Sequence, residues 1–241
     1  MHASQRDMIV ASTSTLYGQR PLEYLLEELK SVFTERNIES LLFIPFARPG
    51  GITHDQYTKK ISHALNSLNV EVTGIHEADN VIEAIENAKA IFTGGGNTFV
   101  LVKQLHDRQL MQPLREAIFS GTFYLGTSAG SNICGLTMQT TNDMPILQPA
   151  SFKTAGVLGY NINAHYQDPV EGNQHMGETR EQRIKEFHTY NSVRVLGLRE
   201  GSYLRVRGME ETLKGPHSAR VFKAGAEPVE IQPDTDVSFL K

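Results

Sequence analysis

The twelve residues from Phe123 to Cys134, FYLGTSAGSNIC, decide how the chain is read. Phe123 to Gly126 suits a short buried strand and Ala129 to Cys134 suits a helix, which leaves Thr127 and Ser128 to make a sharp turn between them. A strand that passes directly into a helix is the repeating step of a βα fold, and the step recurs on both sides. Upstream, Met8 to Ala11 precedes an amphipathic stretch from Leu22 to Phe33, Leu41 to Ile44 precedes Tyr57 to Leu68, and Val70 to Ile75 precedes Val81 to Ala88. Ala90 to Thr93 then leads into helices around Thr98 to Leu105 and Met111 to Ser120. The alternation predicts an α/β fold of three layers, α/β/α, around a mainly parallel, doubly wound sheet. After Val157 the rhythm changes. An apolar run from Val157 to Asn163 gives way to a polar, Gly-rich stretch ending at Gly177 and a helix from Arg180 to Phe187. Short strands near Val193 to Leu198, Tyr203 to Val206, Val221 to Lys223 and Val229 to Ile231 are expected as antiparallel, turn-linked C-terminal additions. No Pro/Ser linker, repeat or low-complexity tract interrupts the chain, so residues 1–241 are expected to form one domain.

Composition narrows the function. Lys and Arg number 23 against 27 Asp and Glu, a net charge of -4 with mixed signs, so there is no basic footprint for nucleic acid and no polybasic arm for a membrane. A single cysteine, Cys134, excludes an intramolecular disulfide and a thiolate metal cluster, and a reducing cytosol is the expected setting. Met1 to Val10 lacks the apolar stretch of a signal peptide, and no run approaches the roughly 18 apolar residues of a membrane span, so a cytoplasmic chain is expected.

In open parallel sheets ligands bind beyond the C-terminal ends of the strands, so the loops that follow strands are where chemistry is sought. Gly126-Thr127-Ser128-Ala129-Gly130 fits GxSxG in the strand-to-helix context that motif requires. A nucleophile on such a turn is held at strained backbone angles and needs small neighbours, which Gly126, Ala129 and Gly130 supply. The Ala129 amide is placed to donate to an oxyanion. A Gly-rich turn with Ser128 as a plain helix cap accounts for the same five residues.

Thr93-Gly94-Gly95-Gly96-Asn97-Thr98 also joins a strand to a helix. Lacking the GK[ST] of a P-loop and the spacing of GxGxxG, it reads as the second wall of an oxyanion hole, with Gly95 or Gly96 opposite Ala129 and Asn97 as a substrate contact. Asn97 and Thr98 equally suit capping of the next helix. A serine nucleophile needs a base, and the base an orienting acid. Among nine histidines, His165 ends the apolar run at Val157 to Asn163 and so emerges at a strand end, whereas His63, His106, His188 and His217 fall on helices or polar loops. Two carboxylates compete for the third place: Asp143, in the polar loop Thr140 to Pro145, and Glu200, after the apolar strand Val193 to Leu198. Each also suits a turn carboxylate capping local backbone. Thr179 and Gln182 have capping-box spacing, which puts Arg180 at the first position of a helix, where a free helix end and a guanidinium together suit a carboxylate. An exposed charged helix explains those residues as well.

Taken together, GTSAGSN, GGGNTF, TTNDMPI, the histidine after YNINA, GETREQRI and GLREGS resemble the peptidase E, or α-aspartyl dipeptidase, family over nearly the whole chain, with Asp143 and His165 standing 15 and 37 residues after Ser128. The resemblance implies a cytoplasmic serine exopeptidase that cleaves dipeptides with an N-terminal aspartate and needs no metal; beside it, no cofactor is expected, and either a monomer or a homodimer is compatible with the sequence. The resemblance also implies a fold related to class I glutamine amidotransferases, with Ser128 as nucleophile, His165 as base, Arg180 as receptor of the aspartate side chain, and Asp143 and Glu200 both as functional positions. Two other expectations stand beside it: a serine peptidase of the same superfamily acting on β-aspartyl bonds, and a non-catalytic metabolite-binding homologue.

Overall fold

A computed structural model describes residues 5–169 and 177–241. The first four residues of the amino terminus and residues 170–176 of the Gly-rich stretch lie outside them.

Five parallel strands form the centre: β1 (Asp7–Ala11), β2 (Ser40–Ile44), β3 (Glu71–Gly74), β4 (Ala90–Thr93) and β5 (Phe123–Thr127), in the order β3-β2-β4-β5-β1. The interleaved helices are α1 (Leu26–Arg36), α2 (His54–Ala64), α3 (Val81–Asn87), α4 (Thr98–Asp107) and α5 (Met111–Phe119). Successive side chains of a strand point to opposite faces, and the core divides accordingly. Met8, Val10, Ile44 and Tyr124 pack with α4 and α5 through Leu101, Leu105, Leu114 and Ile118. Ile9, Ala11, Phe43 and Phe123 pack with α1 and α2 through Leu29, Val32, Phe33 and Ile61. The sheet is therefore buried on both faces, which is why its strands read as continuous apolar runs. Helix starts are fixed locally: Thr53 and Gln56 form a capping box on α2, and Asn80 caps α3. Each such cap contributes about 1 kcal/mol.

The C-terminal part departs from the expected pattern in two ways. The strands after β5 do not form one antiparallel set. β8 (Tyr203–Arg207) pairs antiparallel with β1 and continues into β9 (Glu210–Lys214), extending the first sheet to seven strands. The remaining strands, β6 (Asn161–Ala164), β7 (Val195–Leu198), β10 (Ala219–Phe222) and β11 (Val229–Ile231), make a second sheet in the order β11-β10-β7-β6. In it β6 and β7 run parallel, Asn161 opposite Val195 and Ala164 opposite Leu198. Helix α7 (Arg180–Tyr190) lies between them in sequence and packs through Ile184 on Tyr166, Val195 and Phe222, so β6-α7-β7 is itself a crossover unit. The second difference is β9. Its Glu211 is fully buried, paired with Arg6 at 3.0 Å and accepting from the Tyr160 hydroxyl at 2.7 Å. No helix among the described residues is long and apolar enough to cross a membrane.

The topology brings the C-terminal ends of β1, β4 and β5 in one sheet to those of β6 and β7 in the other. The candidate site lies there.

Candidate active site

Ser128 sits between β5 and the one-turn helix α6 (Ala129–Asn132) with φ 53° and ψ -110°. A non-glycine residue at such angles costs about 1–3 kcal/mol and persists only where its surroundings fix it. The Ser128 amide donates to the Ala11 carbonyl at 3.1 Å, and its own carbonyl accepts from the amides of Ser131 and Asn132, both at 2.9 Å. The small neighbours are required by contact: a β-carbon on Gly126 would lie 2.5 Å from the Gly130 carbonyl oxygen, and one on Gly130 would lie 2.1 Å from that of Thr93.

His165, the residue after β6, has a positive φ of 56° and turns its ring toward Ser128. Its Nε2 lies 2.9 Å from Ser128 Oγ and its Nδ1 2.6 Å from Glu200 Oε1. A carboxylate only accepts, so the Glu200 contact places the ring proton on Nδ1 and leaves the Nε2 lone pair to accept from the Ser128 hydroxyl. Three residues that are remote in sequence therefore stand in a hydrogen-bonded row. His63 and His217 are exposed, and His106 and His188 bond the carbonyls of Lys153 and Val193.

Asp143 is not on His165. Its Oδ2 accepts from the Thr98 amide at 2.7 Å and from the Thr141 hydroxyl at 2.9 Å, so it braces the first turn of α4. Asn132 joins this layer, donating to Thr98 Oγ1 at 3.0 Å and accepting from the amide of Ala164, the residue before His165, at 3.3 Å. The glycine run lies beside the serine, and Gly95 is its closer wall. A β-carbon on Gly95 would be 3.0 Å from that of Ser128, whereas Gly96, at φ 148°, is pressed on the Ala47 carbonyl, 2.3 Å from where its β-carbon would stand. Among the described residues no backbone carbonyl accepts from the amides of Gly95 or Gly96. Asn97, expected to contact substrate, has both ends of its amide engaged within the protein. Its Oδ1 caps α4 through the Val100 amide at 3.1 Å and its Nδ2 donates to the Met144 carbonyl at 2.9 Å.

Arg180 opens α7 behind the Thr179 and Gln182 capping box. It is half-buried and makes no hydrogen bond or ion pair with the described residues. Burial and then the neighbouring Arg183 lower its pKa, while the Asp143 charge raises it, and the guanidinium stays charged. Glu181 beside it is tied to Arg220 of β10 at 2.9 Å and to Lys185 at 2.8 Å. Cys134 is buried and its thiol is pushed well up by desolvation, which leaves it inert as a nucleophile. Among the described residues no group of three or more His, Cys, Asp or Glu is arranged to hold a metal ion.

Sequence reasoning missed Ser12, whose hydroxyl accepts from the His165 amide at 2.9 Å. Its one sequence signal is position: it is the first residue after a parallel strand.

Residues 8–214 match the model of peptidase family S51. The chain is 41% identical over 239 residues to a Drosophila melanogaster protein named "Probable alpha-aspartyl dipeptidase", covering 99% of this chain and 98% of that one. It is 40% identical over 234 residues to a Streptomyces coelicolor protein named "Peptidase E", covering 97% and 94%. Among solved structures, a peptidase from an acI-B1 Actinobacterium superposes with a TM-score of 0.75 over 98% of both chains at 17% identity, a likeness of fold.

Proposed function

The chain belongs to peptidase family S51, and we propose that it is a serine dipeptidase that hydrolyses Asp-Xaa dipeptides, with Ser128 as nucleophile, His165 as general base and Glu200 as the acid that orients it. The observation that carries this reading is the row from Ser128 Oγ to His165 Nε2, 2.9 Å, and from His165 Nδ1 to Glu200 Oε1, 2.6 Å. Relatives at about 40% identity named alpha-aspartyl dipeptidase and Peptidase E support the substrate class.

In the first half-reaction His165 Nε2 takes the Ser128 proton as Oγ bonds to the carbonyl carbon of the aspartyl residue. The carbonyl oxygen becomes an oxyanion held by the amides of Ala129 and of the glycine run, Gly95 and Gly96. His165 then returns the proton to the leaving nitrogen, the C–N bond breaks, and Xaa departs as the free amino acid. Water, deprotonated by the same imidazole, attacks the aspartyl ester and releases aspartate, and the proton goes back to Ser128 Oγ. Glu200 keeps Nδ1 protonated and stabilises the imidazolium formed in each half.

Arg180 receives the aspartate side chain. A half-buried guanidinium that makes no hydrogen bond or ion pair with the described residues suits a substrate carboxylate, and a neutral side chain would leave it unpaired in the bound complex, a larger penalty than the loss of a methylene. Asp143 braces the glycine run through Thr98 and adds its negative charge near Arg180. A cytoplasmic setting fits a chain whose one cysteine is a buried free thiol.

A panel of Asp-Leu, β-Asp-Leu, Glu-Leu, Ala-Leu and Asp-Leu-Gly, incubated with the protein and a chelator, tests the assignment. Release of leucine from Asp-Leu alone is expected. Faster cleavage of β-Asp-Leu, or of none of the five, overturns the substrate assignment.

A further inference from the structure

The residues in the row at the site come from three separate segments, and each of those segments is bonded to the same two residues at the end of β1. The Ala11 carbonyl receives the Ser128 amide at 3.1 Å and the Ser131 hydroxyl at 2.6 Å. Ser12, wholly buried, makes three further bonds. Its Oγ accepts from the His165 amide at 2.9 Å and donates to the Leu198 carbonyl at 2.7 Å, and its own amide donates to the Ser202 carbonyl at 3.1 Å. Leu198 and Ser202 bracket Glu200, two residues to either side. The pairing of β1 with β5, Ala11 opposite Thr127, sets Ser12 beside Ser128, while the Ser12 side chain reaches across to the ends of β6 and β7 in the second sheet.

We infer that Ser12 is a positioning residue for the acyl-transfer reaction: its hydroxyl locks the backbone of His165, and with it the spacing of base and orienting acid, to the strand end that also holds the serine amide. The inference rests on the role proposed for Ser128, His165 and Glu200.

The physical basis is local. His165 holds a positive φ, which a histidine does not adopt freely, and such a conformation persists only when its surroundings fix it. One hydroxyl that accepts from the His165 amide and donates to Leu198 is polarised in a single direction, with the bond to Leu198 buried and that from His165 part-buried. Removing the oxygen takes the partner from the part-buried His165 N–H and one of two donors from the Leu198 carbonyl, which keeps the Tyr166 amide at 3.2 Å, and the His165 backbone between its bonded neighbours loses the tie that favours positive φ. The imidazole then moves relative to Ser128 Oγ, and displacements of about 1 Å at reacting groups cost on the order of a hundredfold in rate. Substrate binding, which rests on Arg180 and the glycine run, is left in place.

The test compares Ser12→Ala, Ser12→Cys and Ser12→Thr in the full chain, using Asp-Leu hydrolysis and the downfield proton resonance of the His165 Nδ1–H held by Glu200. Ser12→Ala is expected to lose about ten- to a hundredfold in kcat with KM within about threefold of wild type. Ser12→Cys, which keeps the volume but bonds weakly, should lose most of the same amount, and Ser12→Thr, which keeps the hydroxyl, should recover most of it. The downfield resonance should weaken or shift in the Ala and Cys variants and return in the Thr variant. A kcat within twofold of wild type in Ser12→Ala, or an unchanged resonance, overturns the inference. If Ser12→Ala does not accumulate as folded protein, Ser12→Cys decides, and wild-type kcat and resonance there overturn it. A Ser128→Ala chain that still cleaves Asp-Leu overturns instead the reading of the site, while the resonance continues to report whether Ser12 positions the pair.

Discussion

Glu200 Oε1 and His165 Nδ1 are 2.6 Å apart although 35 residues separate them, because β6 and β7 lie parallel and side by side and both residues leave the same end of that pair. Asp143, closer in sequence to both Ser128 and His165, is spent on the amide of Thr98. Glu200→Gln keeps the size of the side chain but lets the amide donate, which favours the wrong imidazole tautomer. Because Glu200 is half-exposed, water can partly replace it, and kcat for Asp-Leu is expected to fall by about 10²- to 10³-fold, with KM little changed, in steady-state assays. An unchanged kcat would remove Glu200 from the mechanism.

Arg180 should carry discrimination without carrying stability. Arg180→Ala is expected to lower kcat/KM for Asp-Leu by about 10²- to 10³-fold and to leave Ala-Leu nearly unaffected, so that the preference collapses. Thermal unfolding should shift by no more than about 0.5 kcal/mol, since no described residue bonds its guanidinium. Arg180→Lys, a point charge without the fork, should recover only part of the loss. Equal losses of activity and stability would assign Arg180 to the fold.

The serine turn tolerates no extra carbon at Gly130. A methyl there meets the backbone carbonyl of Thr93 at 2.1 Å, so α6 and the end of β4 must part. Gly130→Ala is expected to cost about 2–3 kcal/mol by denaturant titration. Activity should fall further than the unfolded fraction accounts for, because the same shift moves Ser128.

Thr127, next to the serine and wholly buried, has a hydroxyl with no hydrogen-bond partner among the described residues. Thr127→Val keeps the shape and removes the stranded polar group, and a gain of about 1 kcal/mol is expected. Calorimetry should show a melting temperature raised by about 2–4 °C for a chain of this length. A drop would mean that the hydroxyl is bonded in solution.

Much of the candidate site was legible from residue order. Ser128 announces itself because strained turns need small neighbours, and His165 and Glu200 because each follows an apolar run and strand ends carry chemistry in such sheets. Which of Asp143 and Glu200 stands on His165 was not legible, since it depends on which strands are neighbours. A clue was present: the helix beginning at Arg180 falls between the runs ending at Asn163 and Leu198, and a strand-helix-strand connection implies parallel pairing. β9 was hidden because Glu210-Glu211-Thr212-Leu213-Lys214 looks like a solvated turn until Arg6 and Tyr160, remote in sequence, supply partners for Glu211. Ser12 was hidden for the same reason, its partner lying 153 residues away. Asn97 had two uses in the sequence, and the structure employs it as a cap and a strap to Met144.

The central claim, acyl transfer through Ser128, is tested most directly by Asp-Leu hydrolysis in wild type and Ser128→Ala under identical conditions with a chelator present, alongside circular dichroism to establish that both are folded. The account predicts turnover by wild type and a loss of at least about 10⁴-fold in the variant at unchanged fold. Hydrolysis by Ser128→Ala at a rate near wild type would contradict it.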